Sequence, residues 1–232
     1  MRKRGKQWLS AIAAVGLAVL SVAAQSTGRL GRDSQAVRTI LVLGDSLSDG
    51  FRLQRSQAYP ALLADKLRKA RLDFEVINAS ASGGTTDGGL QRLPPHLKRK
   101  IDIFILELGI NDAFRGVPVD EIQRNLQEII KQVKGRNRDV RIVIAGMQLP
   151  QSGTDDYIGA FGKMYVDLAA RNHSALIPYL LDGVGGNPIL NLPDRIHPNA
   201  AGHKILAENV WRVLEPVARE VSGPVNVGAG AR

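Results

Sequence analysis

From Val37 onward the chain alternates short apolar runs, rich in β-branched residues, with longer stretches of helical period. Few architectures accept that pattern. A strand covered on both faces reads as a continuous apolar run, and parallel neighbours need a crossover of a dozen or more residues between them, usually a helix. Strands are expected at residues 39–43, 74–78, 103–108, 141–147 and 175–179, and helices at 59–70, 88–100, 119–134, 157–172 and 199–220. Pro60, Pro118 and Pro198 stand where helices begin, and Pro94-Pro95 should kink or split the second helix. The expectation is one α/β domain over residues 37–221, a five-stranded parallel sheet flanked by helices.

The first residues break from this pattern. Arg2, Lys3, Arg4 and Lys6 precede an apolar run from Trp8 to Ala24 that closes on Val22-Ala23-Ala24. A charged lead, an apolar centre and a small-residue end mark an export signal over residues 1–24, cut near Ala24. The run is longer than most signal cores and just short of a comfortable span, so an uncleaved anchor is the alternative. No Cys lies near the site for lipid attachment. Residues 25–36 read as a linker and 222–232, made chiefly of Gly, Val and Ala, as a frayed tail.

Charge excludes some partners. The whole chain carries +9, but removing the signal leaves 27 basic against 22 acidic residues, a net of +5. The basic clusters at residues 68–71, 98–100 and 136–138 have no interleaved aromatic residues, so no nucleic-acid partner is expected, and weak attraction to an anionic membrane surface is the most they suggest. With no cysteine, disulfides and thiol chemistry are both absent.

In parallel sheets ligands sit outside the carboxyl ends of the strands. The expected strands are followed there by Gly44-Asp45-Ser46-Leu47, Asn78-Ala79-Ser80-Ala81-Ser82-Gly83-Gly84, Gly109-Ile110-Asn111-Asp112 and, after a long loop, Asp194-Arg195-Ile196-His197. An attacking serine needs a base, an orienter for that base, and donors where negative charge develops. His197 and Asp194 share one loop bracketed by Pro193 and Pro198. Ser46 and Gly83 offer backbone N–H groups, and Asn111 a neutral side-chain amide. Each residue has a plainer reading: Ser46 as a helix cap, Gly83 as a turn, Asn111 as a cap, His197 as a loop histidine. His96, His173 and His203 read as structural, with no metal spacing.

Together the four segments resemble the blocks of the GDSL or SGNH hydrolases, closest to the exported thioesterase I, lysophospholipase and arylesterase type, from about Thr39 to Trp211. The resemblance implies a flavodoxin-like three-layer α/β/α fold. It makes Ser46 the nucleophile, His197 the base, Asp194 its partner, and Gly83 and Asn111 oxyanion donors beside the Ser46 N–H. It implies no cofactor or metal, a small-molecule or lipid ester as substrate, a periplasmic or secreted monomer, and an acyl-enzyme mechanism. Arg195 departs from it, standing where glycine is common, and the loop at residues 149–154 is variable, so chain preference does not transfer. Phe114 and Val117 are candidates to line an acyl site, with a core or surface role the equal alternative. The Gly-x-Ser-x-Gly elbow of the α/β-hydrolases is absent around Ser46.

Alternatives on the same fold are a carbohydrate O-acetylesterase, a Mg²⁺-dependent phosphoesterase using Asp45, Asp49 and Asp112, and a non-catalytic binding protein.

Overall fold

The computed structural model describes residues 37–150 and 154–223; the expected signal, the linker, residues 151–153 and most of the expected tail lie outside the described residues. Five parallel strands, β1 (Arg38–Gly44), β2 (Phe74–Asn78), β3 (Ile103–Glu107), β4 (Arg141–Ala145) and β5 (Ala175–Ile177), form one sheet in the order β2-β1-β3-β4-β5. That is the flavodoxin-like arrangement. The central strands β1 and β3 are buried almost throughout, and edge strand β2 is partly exposed.

The crossovers between parallel strands distribute the helices over both faces. On one side α2 (Tyr59–Lys69) packs on α7 (Ala200–Ser222); on the other α3 (Thr86–Arg92), α5 (Val119–Arg136) and α6 (Asp155–Asn172) pack in sequence. The α5 stripe of Ile122, Leu126, Ile129, Ile130 and Val133 recurs at helical spacing and is fully buried. Each such side chain contributes roughly 1.5–3 kcal/mol of burial.

Differences from the expected elements have local causes. The second expected helix is divided at Leu93: α3 ends at Arg92 and Pro94-Pro95 open a separate 3-10 turn ending at Lys98, because a proline lacks the N–H that continues a helix. α6 starts at Asp155, where Thr154 caps it by accepting from the Tyr157 N–H. Strands β4 and β5 end two residues early, and the chain beyond them is held by the Gly146 N–H on the Ile177 carbonyl at 2.8 Å and the Leu180 N–H on the Gly146 carbonyl at 2.9 Å. Two short helices the periodicity does not resolve, α1 (Ser46–Asp49) and α4 (Ile110–Phe114), follow β1 and β3.

These two strands are neighbours, with Gly44 paired to Glu107 at their carboxyl ends. The chain leaves β1 toward β2 on one side and β3 toward β4 on the other, so a crevice opens between α1 and α4. Among the described residues no helix is long and apolar enough to cross a membrane.

Candidate active site

The crevice is built first from Gly44. A Cβ there would lie 2.5 Å from both the Glu107 Oε2 and the Ser48 Oγ, so only glycine lets β1 turn sharply over β3. Asp45 then caps α1, its Oδ1 accepting from the Leu47 N–H at 2.9 Å, and Ser46 becomes the first helical residue. First-turn amides have no partner inside the helix, which leaves the Ser46 N–H available to an anion.

The loop before α7 carries His197 and Asp194. His197 Nε2 lies 3.0 Å from the Ser46 Oγ, and His197 Nδ1 lies 2.9 Å from the Asp194 Oδ2. The other Asp194 oxygen accepts from the Ile196 and His197 backbone N–H groups, each at 3.0 Å. Burial alone would raise the Asp194 pKa, but these two amides and the imidazole bring it down to about 2. An ionised Asp194 fixes the tautomer, Nδ1–H donating to Asp194 and Nε2 accepting from the Ser46 hydroxyl. The loop is tied by the Leu192 N–H on the His197 carbonyl at 2.7 Å and the Asn199 amide on the Ile189 carbonyl at 2.8 Å. Arg195 takes a left-handed backbone, φ 59°, and the Phe51 ring packs 4.4 Å from the imidazole.

Asn111 lines the crevice from α4, and Gly83 lies on the segment that follows β2. Gly83 has φ 74°, yet a Cβ built on it meets no protein atom within 4 Å. Its backbone conformation therefore calls for glycine, and the space beside it is open. Both amide hydrogens of Asn111 already have acceptors, Asp45 Oδ2 and the Gly84 carbonyl, each at 3.0 Å. They hold the amide in one orientation, and an oxyanion would share one of these hydrogens.

Beneath lies Glu107, an acid that sequence reasoning gave no part, beside Asp45, which it weighed only as a metal ligand. Glu107 is fully buried, its Oε2 accepting from the Asp45 N–H at 3.1 Å and the Ser48 hydroxyl at 2.7 Å, with Tyr59 OH 2.7 Å from that hydroxyl. Burial raises the Glu107 pKa well above the carboxylate range, and burial pushes Asp45 up to about 7 against the hydrogen bonds from Leu47 and Asn111. The signal was a lone glutamate in an otherwise apolar strand, since an acid is rarely buried without a purpose. Asp45, Asp49 and Asp112 face separate partners: Asn111 and Leu47, the Ser82 hydroxyl at 2.6 Å, and the Thr86 hydroxyl at 2.6 Å. Among the described residues no three His, Asp or Glu side chains gather to hold a metal.

A cavity of about 480 Å³ opens beside Ser46 and His197, lined chiefly by apolar groups including Ile110, Phe114, Met147, Leu149, Leu181 and Ile196. Phe114 lines it, as expected of a candidate acyl contact, whereas Val117 packs against the core instead because the turn at Gly116 directs it inward. Arg195 sits at the cavity wall. His203 is buried far from solvent and accepts from the Tyr59 N–H at 3.1 Å through Nδ1; burial, then the nearby His197, lowers its pKa to about 4.

The model of the GDSL-like lipase/acylhydrolase family matches residues 42–205, a span that holds all five candidate residues. The chain belongs to this family. It is 40% identical over 183 residues to Esterase TesA of Pseudomonas aeruginosa, covering 78% of this chain and 90% of that protein. It is 36% identical over 188 residues to the Thioesterase 1/protease 1/lysophospholipase L1 of Escherichia coli K12, covering 81% of this chain and 88% of that one. The crystal structure of TesA superposes with a TM-score of 0.74 at 39% identity, covering 78% of this chain and 99% of that one. As a member of the family, the chain is a hydrolase of ester bonds on the SGNH fold.

Proposed function

We propose that the chain hydrolyses acyl esters and thioesters of lipid type, lysophospholipids among them, with Ser46 as nucleophile, His197 as base and Asp194 as orienter. One observation carries the reading: a hydrogen-bonded relay from Asp194 through His197 to Ser46, at 2.9 and 3.0 Å, opens on an apolar cavity of about 480 Å³. The acyl chain lies against Phe114, Leu149 and Ile196, and the carbonyl carbon faces Ser46.

Chemistry then follows from the donors. His197 Nε2 takes the hydroxyl proton as the Ser46 Oγ attacks, and the carbonyl oxygen becomes an anion held by the Ser46 and Gly83 N–H groups and by Asn111. The imidazolium, stabilised by Asp194, returns its proton to the departing alcohol or thiol. Water, deprotonated by the same imidazole, then cleaves the acyl-enzyme and releases the acid. No step requires a cofactor. Export by the segment at residues 1–24, a linker at 25–36, a catalytic domain at 37–221 acting as a monomer in the periplasm or outside the cell, and weak attraction to anionic membranes belong to the same proposal.

Ser46→Ala should abolish ester hydrolysis by about 10⁴-fold or more and prevent labelling by an organophosphonate probe. Full activity in S46A would overturn the nucleophile assignment. A series of p-nitrophenyl esters, run beside an acyl-thioester and a lysophospholipid, tests the substrate class. Medium or long chains should be preferred; a maximum at acetate would favour an acetylesterase over the lipid-directed reading.

A further inference from the structure

The hydrogen-bond chain under Ser46 leaves one group unexplained. The Glu107 Oε1 is buried and has no partner, while its Oε2 has two donors. The Asp45 backbone N–H donates to the other Glu107 oxygen at 3.1 Å, which sets two fully buried acids next to each other. Asp45 is itself fully buried, and its two oxygens accept from Leu47 and Asn111. Two adjacent carboxylates in a dry site cannot both be ionised without a cation between them.

Among the described residues no cation is ion-paired with either acid. From α3, the Arg92 guanidinium donates to the Gly44 carbonyl at 3.1 Å, and its charge acts on Asp45 and Asp49 without a direct ion pair to Asp45 or Glu107. From α4, Asp112 adds negative charge and is occupied by Thr86. From α1, Asp49 is bound to Ser82. From α2, Tyr59 is a neutral hydroxyl on Ser48, and from α6, Tyr165 is a neutral hydroxyl donating to the Leu108 carbonyl at 2.9 Å; burial, then Glu107 nearby, raises both phenols. From α7, His203 reaches only the backbone of Tyr59.

We infer that Glu107 is a positioning residue that keeps its proton and donates it from Oε1 to an ionised Asp45, so that the Asp45 carboxylate holds the Asn111 amide and the Ser46 turn. Every buried atom of the pair then has a partner. Glu107 Oε2 accepts from the Asp45 N–H and Ser48; Glu107 Oε1–H donates to Asp45; Asp45 accepts from Leu47, Asn111 and Glu107. A neutral acid is needed at 107 because the site already carries the Asp45 charge, and an apolar residue there would orphan the Asp45 N–H and the Ser48 hydroxyl. The inference rests on Ser46 and Asn111 acting as proposed above, but the protonation it asserts does not.

Three measurements on the full chain decide it. Glu107→Ala, confirmed folded by circular dichroism, should lose at least about tenfold in kcat toward a p-nitrophenyl ester with KM nearly unchanged, and Glu107→Gln should restore most of it, because an amide supplies the same acceptor and the same donor. The acid limb of the kcat profile against pH in E107Q should superpose on that of the wild type, since a neutral group has replaced a neutral group. Infrared difference spectra at about pH 8.5, above the range where Asp45 titrates, should show a protonated-carboxyl band in the wild type that is lost in E107Q. An acid limb displaced to lower pH in E107Q, a missing band in the wild type, or full kcat in E107A would each overturn the inference. If E107A does not fold, the E107Q limb and the infrared band still decide. Full activity in S46A would remove the nucleophile reading while leaving the infrared result to stand on its own.

Discussion

The same functional group is used in opposite ways on the two sides of Ser46. Asp194 sits on an exposed loop, accepts two backbone N–H groups and an imidazole, and has its pKa drawn down to about 2. Asp45 lies a few residues' width away in a dry crevice beside another acid, and burial raises it to about 7. Three donors within one turn of chain are enough to keep a carboxylate ionised near water. In the interior, the hydrogen bonds at Asp45 do not offset desolvation and the negative charge of Asp112. In the proposed mechanism the exposed side therefore handles the proton in flight, and the buried side fixes geometry.

Matched substitutions test this contrast. The largest effect should come from Asp194→Asn, which leaves the loop's shape but favours the wrong imidazole tautomer: kcat should fall by about 10³-fold to 10⁴-fold while the urea midpoint stays close to wild type. A large loss of stability in D194N would show that the loop is structural first. Asp45→Asn should do the reverse in proportion. Its single remaining acceptor cannot serve both Leu47 and Asn111, so kcat should fall by about 10-fold to 100-fold and unfolding should be easier by about 1–3 kcal/mol, read from denaturant titration. Equal stability in the two variants would break the distinction between the sides.

The smallest effect concerns His203, buried behind Tyr59. Its folded pKa, about 4, is below its ordinary 6.5, so between these values the unfolded chain binds a proton that the folded chain refuses. Its contribution to stability is complete above pH 6.5 and is lost as pH falls toward 4, about 3 kcal/mol over that window. Asp45, raised from 3.8 to about 7, works in the opposite sense, its stabilising protonation being lost as pH rises through about 7. The two partly cancel in the wild type. His203→Asn should therefore flatten the acid-side fall of the urea midpoint relative to wild type, and an unchanged slope would place the proton elsewhere.

Strand positions were legible because β1 and β3 are covered on both faces, so their apolar runs are nearly unbroken in sequence. Helix division at Pro94-Pro95 was legible because a missing N–H is a local fact. The short helices α1 and α4 were not, since helices of four and five residues carry too few turns for a period. Val117 shows the limit for side chains: its spacing from Phe114 suits a shared acyl surface, yet the turn at Gly116 sends the two to different places.

By itself the sequence determined the order of strands and helices and the residue types at each strand's carboxyl end, because periodicity and backbone chemistry are local. It placed Ser46, Gly83, Asn111, Asp194 and His197 in the proposed site through their segments. Only the tertiary structure decided that Gly44 abuts Glu107, that Asn111 is held by Asp45 rather than left free, and that Glu107 is dry. Those facts depend on desolvation and on contacts between residues some sixty positions apart, and neither is written in any single stretch of chain.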